Sequence, residues 1–301
     1  NAVVHLLAIA GRIGVKLELD DFDKLARDVP VIANMMPSGK FLMEEFFDAG
    51  GVPTVMKEIS NLLHLEQVTV SGKTVKENIE GAENWNKEVI TPVNKPFQAA
   101  GAGIVVLRGS LAPDGAILKV SAASPNLLTH KAKALVFNEI EEYLKVADDP
   151  NLPVTPDTIL VLRNSGPKGY PGFPEVGNLP MPKKMLEQGV TDMVRISDAR
   201  MSGTAYGTVV LHVSPEAAKG GTLALVKTGD MIALDVYDRT LQLLVDDEEL
   251  EKRRAAWKPT HVEATRGYVQ LYQQHVEQAH LGDDMDFLKG CSGSKVTRDS
   301  H

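Results

Sequence analysis

Ser197-Asp198-Ala199-Arg200-Met201-Ser202-Gly203-Thr204-Ala205-Tyr206-Gly207 lies between two stretches, 191–197 and 207–213, that are rich in Val, Ile and Thr. Both flanks read as strands, so these residues form a strand-to-strand loop crowded with small, hydroxylated and charged side chains. A capped turn with a local Asp198–Arg200 ion pair accounts for such a loop as well as a functional site does. A second loop precedes it: Ser165-Gly166-Pro167-Lys168-Gly169-Tyr170-Pro171-Gly172-Phe173-Pro174-Glu175, directly after a strand candidate at 158–163. Its three glycines and three prolines make a stiff backbone that ends in a carboxylate. An exposed connecting loop is the plain reading, yet rigid loops on a strand scaffold are where function concentrates.

Working outward, strand candidates continue at 222–227, 231–237 and 240–245. Upstream, Ile104–Arg108 and Ala116–Ser121 flank Pro113-Asp114-Gly115, a sequence suited to a tight turn. One long helix is expected over 131–145, ended by Asp148-Asp149-Pro150. Asp246 and Glu249 have capping-box spacing ahead of a helix through Trp257, and a last amphipathic helix covers 264–280. Residues 84–103 show little periodicity and read as a linker. The first third is mainly helical: Val3, Val4, Leu7 and Ala10 share a helical face, Ser38 is expected to cap a run containing Phe41, Leu42, Glu45 and Phe46 that Gly50-Gly51 stops, and 52–63 suit another helix. A short strand and turn is expected over 66–72. The chain opens on an apolar helical pattern with no methionine and no cap, as though cut inside an element.

The chain has 301 residues, room for about two domains, and 43% of them are hydrophobic. With 32 Lys and Arg against 40 Asp and Glu the formal net charge is −8, and no basic cluster offsets it. Nucleic acid is a poor partner for such a surface. No apolar run approaches the roughly 18 residues of a membrane span; no membrane association and a cytoplasmic location are the expectation. A single cysteine, Cys291, excludes an intrachain disulfide and any cysteine-rich metal site held by this chain alone.

Generic motifs are scarce. There is no phosphate-binding GxxxxGK[ST]. Gly101-Ala102-Gly103 lacks the third glycine and following helix of a dinucleotide fingerprint. Ser202 lacks the first glycine of a nucleophile elbow. His275 and His280 are off the i, i+4 spacing of a helical metal pair, and Ser292-Gly293-Ser294-Lys295 matches a catalytic SxxK by letters only.

The two loops, in this order, resemble those of the dihydroxy-acid/phosphogluconate dehydratase (IlvD/Edd) family. Asn1-Ala2-Val3-Val4-His5-Leu6, Pro37-Ser38-Gly39-Lys40 and Phe46-Phe47-Asp48-Ala49-Gly50-Gly51 are similar to further family segments. So are His212-Val213-Ser214-Pro215-Glu216-Ala217-Ala218, Gly220-Gly221 and Gly229-Asp230. The form Ala199-Arg200-Met201-Ser202-Gly203-Thr204 resembles the sugar-acid branch rather than the branched-chain enzymes, whose version is DGRFSGG-like. The tail at 275–279 and 284–288 is similar to the same branch.

The resemblance implies an α/β protein: the C-terminal part of an α/β N-terminal domain (1–103) followed by a β-barrel-like, swivelling β/α C-terminal domain (104–301). It also implies a hydro-lyase that takes water from a pentonate or hexonate, such as L-arabinonate, to give the 2-keto-3-deoxy acid. Magnesium and a [2Fe-2S] cluster are the implied cofactors. Glu175 would be a magnesium ligand and Ser202 the general base; Thr204, Lys40 and the terminal His301 would contact substrate. The family holds its cluster with three cysteines in its N-terminal half, and Cys291 matches none of them. The chain thus resembles a C-terminal half, expected to be inert alone, to need the missing N-terminal half as partner, and to form a homodimer or homotetramer. A non-catalytic binding or dimerisation module and a branched-chain dihydroxy-acid dehydratase are the alternatives.

Overall fold

Eight strands in one sheet carry the loops of interest: β1 (Ile104–Leu107), β2 (Gly115–Lys119), β3 (Thr129–Phe137), β4 (Ile159–Leu162), β5 (Arg195–Ser197), β6 (Val209–Ser214), β7 (Met231–Asp235) and β8 (Thr240–Leu243). In this computed structural model, which describes residues 1–259 and 263–290, their order is β1-β2-β6-β5-β4-β3-β7-β8. The four central strands β6, β5, β4 and β3 are parallel, and β2, β7 and β8 add antiparallel pairs outside them. The outer strands approach each other: the Arg108 N–H donates to the Arg239 carbonyl at 3.0 Å, and the Leu241 N–H to that of Arg108 at 2.9 Å. The sheet is therefore a nearly closed barrel, which leaves little open edge.

Every residue of β4, β5 and β6 is buried, as expected of parallel strands covered on both faces. A core of Leu135, Phe137, Tyr143, Leu160, Leu162, Leu179, Met185 and Met193 packs under the connections between them. Each such side chain contributes roughly 1.5–3 kcal/mol by leaving water.

Two compact units divide the chain. The first joins Asn1–Asp23 to Val105–Lys119 and the chain from Ala123 onward; the second is Lys24–Ile104 with Val120–Ala122. Helices α1 (Ala2–Arg12) and α2 (Leu19–Asp28) open the chain. The first unit holds α1 through Val3, Val4, Leu7 and Ala10, all buried, and through Arg12, whose guanidinium makes paired bonds of 2.6 and 2.7 Å to Asp284. The second unit contains α3 (Met43–Asp48), α4 (Gly51–Glu58) and α5 (Val75–Ile79) around Ile32, Phe46, Ala49, Val89 and Ile90. Residues 84–103, expected as a linker, form no helix or strand, but Val89 and Ile90 within them are fully buried.

Several local expectations are corrected. Residues 131–145 are strand β3 followed by the short helix α6 (Ile140–Leu144). Lys131 and Lys133 are exposed while Ala132 and Ala134 are buried, so pairing with β4 and β7 overrides the helix preference of Ala, Lys and Leu. Residues 222–227 form a 3-10 turn, Thr222–Leu225. Ser38 does not cap a helix: its hydroxyl donates to Ser121 at 3.2 Å, and Glu45 caps α3 by accepting the Leu42 N–H at 2.8 Å. The segment at 66–72 contributes only an isolated bridge, Val68 to Thr74. After α7 (Lys183–Glu187), α8 spans Asp247–Ala256. The capping box there is not made, because Glu249 bonds to Arg253 Nε at 2.8 Å instead. The last helix, α9, is shorter than expected, Gly267–His275.

Candidate active site

The loops that follow β4, β5 and β6 leave the sheet at the carboxyl ends of adjacent parallel strands, the place where α/β sheets bind ligands. Loop 163–177 and loop 198–208 are bound to one another by main-chain bonds. Gly177 N–H donates to the Arg200 carbonyl at 2.7 Å, and Arg200 N–H donates to the Pro174 carbonyl at 3.3 Å. Glu175 thus stands between two residues bonded to Arg200, and Ser202 follows Arg200 by two positions. Gly177 has no space for a Cβ, which would lie 2.5 Å from Leu211 and 2.9 Å from the Arg200 carbonyl.

Arg200 reinforces the junction with its side chain. Its Nε donates to the Phe173 carbonyl at 2.7 Å, and its guanidinium carbon lies 5.4 Å from the centre of the Phe173 ring. Asp198 and Arg200 therefore take different partners, and the local ion pair considered above is not formed. Asp198 accepts the backbone N–H groups of Asn164, Ser165 and Ala217 at 3.2, 2.9 and 3.0 Å. Burial pushes its carboxyl up to about 7, with the charge of Glu216 adding to the effect.

Glu175 is exposed and accepts a hydrogen bond from the Asn1 side-chain amide, while the Asn1 Oδ1 is buried without a partner among the described residues. Ser202 is half-buried; its hydroxyl lies 2.9 Å from that of Thr204 and accepts the Thr204 N–H at 3.3 Å. The structure thus brings Glu175, Ser202 and Thr204 to two joined loops. Lys40 belongs to the second unit, with its ammonium 5.2 Å from the Phe41 ring centre and its N–H bonded to Asn34 Oδ1 at 2.9 Å. His301 and Cys291 lie outside the described residues.

His212, on β6, was not singled out by its type or spacing. It is buried at a positive φ of 57°, both ring nitrogens lack partners among the described residues, and its ring centre is 5.8 Å from that of Phe173. Burial drives its basicity down to about 3, helped by Arg200, so the imidazole is neutral. Glu216 is likewise inconspicuous by type, and the Pro215-Glu216 step just after a strand is the one signal that marks it. Buried, it accepts N–H groups of Lys168 and Gly169.

As metal donors, the Glu175 carboxylate and the Asn1 amide oxygen are hard oxygen groups of the kind magnesium prefers. They fit as part of a shell only: among the described residues no group of three His, Cys, Asp or Glu is arranged to hold a metal. A [2Fe-2S] cluster does not fit this chain, whose one cysteine is Cys291. No helix among the described residues is long and apolar enough to cross a membrane.

A barrel-like sheet with these loops at its parallel strand ends belongs to a known family. The C-terminal domain of the dihydroxy-acid/6-phosphogluconate dehydratases matches residues 88–283, and their N-terminal domain matches residues 1–78. The chain is a member of that family. Among its relatives, an L-arabinonate dehydratase of Rhizobium leguminosarum bv. trifolii is 59% identical over all of this chain and 52% of its own length. An L-arabonate dehydratase of Azospirillum brasilense is 51% identical over all of this chain and 53% of its own length. A 6-deoxy-6-sulfo-D-gluconate dehydratase of Pseudomonas putida is 50% identical over 96% of this chain and 50% of its own length. The chain spans about half the length of the curated relatives it matches.

Proposed function

We propose that this chain is the part of a sugar-acid dehydratase that supplies the proton-abstracting serine and one magnesium ligand. The observation that carries the reading is the pair of main-chain bonds through which Arg200 joins the Glu175 loop to the Ser202 loop. The names of the relatives at 50–59% identity support a sugar acid as substrate, with L-arabinonate the first to try.

In the proposed reaction the C2 proton of a 2,3-dihydroxy acid passes to Ser202 Oγ, the C3–OH bond breaks with loss of water overall, and the resulting enol tautomerises to the 2-keto-3-deoxy acid. Magnesium, when bound, would stabilise the negative charge that develops on the substrate carboxylate and 2-hydroxyl. Glu175 would be one of its ligands, freed from the Asn1 amide that it accepts here. An isolated serine is far too weak an acid to act as an alkoxide at neutral pH, so Ser202 needs neighbouring positive charge. Thr204, within hydrogen-bond distance of Ser202 Oγ, would orient it and then the substrate. Lys40 and His301 remain proposed substrate contacts.

The cluster ligands and the remaining magnesium ligands would come from the half of the relatives that this chain does not span. The same proposal includes that half as partner, a homodimer or homotetramer, and a cytoplasmic location. Retention of both Glu175 and Ser202 favours this reading over a non-catalytic module, which has no chemical need of either.

The test is an assay of the full-length dehydratase containing this chain on a panel of pentonates and hexonates, reading 2-keto-3-deoxy acid. Glu175→Gln and Ser202→Ala should each lower kcat by at least about a hundredfold. Full activity in either variant, or product formed by this chain alone, would overturn the proposal.

A further inference from the structure

The loop that carries Glu175 leaves β4 and is gripped within a few residues by two buried carboxylates. Asp198 takes the N–H groups of Asn164 and Ser165 at 3.2 and 2.9 Å. Glu216 takes that of Lys168 on both oxygens, at 2.9 and 3.0 Å, and that of Gly169 at 2.9 Å. Asp198 directly follows β5 and Glu216 lies two residues beyond β6, so the ends of three neighbouring strands are joined here. The two carboxylates are 0% and 1% exposed. The loop is pressed onto Glu216: a Cβ at Gly166 would lie 2.7 Å from its Oε2 and 2.8 Å from its Cβ.

The remaining partner of Glu216 is also an amide. Gln278 Nε2 donates to Oε1 at 2.6 Å, and Gln278 Oε1 accepts the Glu216 N–H at 2.8 Å. Burying a carboxylate on amides alone is costly unless several donors converge on it. A carboxylate offers acceptors on both oxygens, whereas a glutamine would turn an NH2 group toward the loop N–H groups. The requirement is therefore geometric, for a loop whose amides are held in one orientation.

We propose that Glu216 is a positioning residue of the dehydratase site: through the turn at 164–169, which Asp198 also holds, it fixes where the loop carrying Glu175 lies against the loop carrying Ser202. The inference rests on the proposed roles of those two residues. Glu216 and Asp198 act at the near end of the loop and Arg200 at the far end, so removing Glu216 frees the segment at 168–169 while the other two anchors remain.

The experiment compares Glu216→Gln with the unchanged protein in two measurements. Hydrogen exchange, on this chain itself, should speed up at Lys168 and Gly169 while the β7–β8 hairpin keeps its rate. Manganese binding to the full-length protein, read by electron paramagnetic resonance, should weaken by about tenfold or more, the scale of outer-shell losses at metal sites. Added magnesium should restore part of the lost rate, which a merely structural defect would not allow. Should Glu216→Gln fail to fold, Gln278→Ala removes a single donor and should move both readouts in the same direction. Unchanged exchange, or unchanged manganese affinity in a folded variant, overturns the proposal. If Glu175→Gln itself leaves manganese affinity unaltered, it is the role of Glu175 that fails; that result is separate from the exchange at Lys168 and Gly169.

Discussion

Arg200 holds Phe173 in two ways at once, donating from Nε to its carbonyl at 2.7 Å and lying over its ring at 5.4 Å. Phe173 is fully buried at a φ of 48°, a left-handed conformation that a bulky residue adopts only under constraint. Arg200 is that constraint, and the turn it stabilises is the one that presents Glu175. Arg200→Met keeps the length and loses the donor and the cation. A charged hydrogen bond and a cation–ring contact together put the loss at about 2 kcal/mol. Equilibrium urea unfolding measures it, and a midpoint equal to that of the parent would show that Phe173 holds its conformation unaided.

Gly207 closes the Ser202 loop against a buried ion pair. Asp192 and Arg195 meet at 2.9 Å, both almost fully buried, and Asp192 also accepts the Thr208 N–H and hydroxyl. A Cβ at Gly207, whose φ is +116°, would lie 1.8 Å from Arg195 Nη2 and 2.5 Å from Asp192 Oδ1. Gly207→Ala is expected to destabilise by about 3 kcal/mol or more, since it strains the backbone and parts a buried pair. Calorimetric melting of the purified variant is the check, and a melting temperature within a degree of the parent contradicts it.

The strand at 129–137 supplies a test of its own. Lys133 is exposed and Ala134 buried, with Ala134 opposite Ile159 in the parallel pair of β3 with β4. Lys133→Glu should change stability by less than about 0.5 kcal/mol. Ala134→Glu should prevent folding or cost several kcal/mol, because it buries a carboxylate with no partner. Soluble yield and circular dichroism separate the two, and equal tolerance would argue against the strand.

That same stretch shows what a sequence can and cannot convey. Lys131-Ala132-Lys133-Ala134-Leu135 consists of good helix formers, and only pairing partners distant in the chain make it a strand. The strand at 159–162 and the start of that at 209–214 are legible because burial on both faces demands apolar, largely β-branched residues, whereas Arg195-Ile196-Ser197 is short and mostly polar, its burial made possible by partners such as Asp192. The two site loops were legible as unusual from their glycines, prolines and hydroxyls, and as related chemistry only through family motifs. Glu216 and His212 were hidden because their significance lies in burial and in what surrounds them. Neither is visible in a residue's type or its spacing.

The last prediction concerns pH. The Asp198 carboxyl, raised to about 7 by burial and by Glu216, has an ordinary value near 3.8 in the unfolded chain. The folded state thus binds a proton more readily than the unfolded state between those values. Its contribution to stability is complete below about pH 4 and is lost as pH rises through about 7. Asp283, raised to about 7 chiefly by burial, acts with the same sign. Stability measured by urea at intervals from pH 4 to 8 should therefore carry a downward component over that window. Asp198→Asn cannot ionise, and it should flatten that component while Asp283 leaves a residue of it. A profile for Asp198→Asn that runs parallel to the parent would mean that Asp198 is ionised throughout, held charged by the N–H groups of Asn164, Ser165 and Ala217.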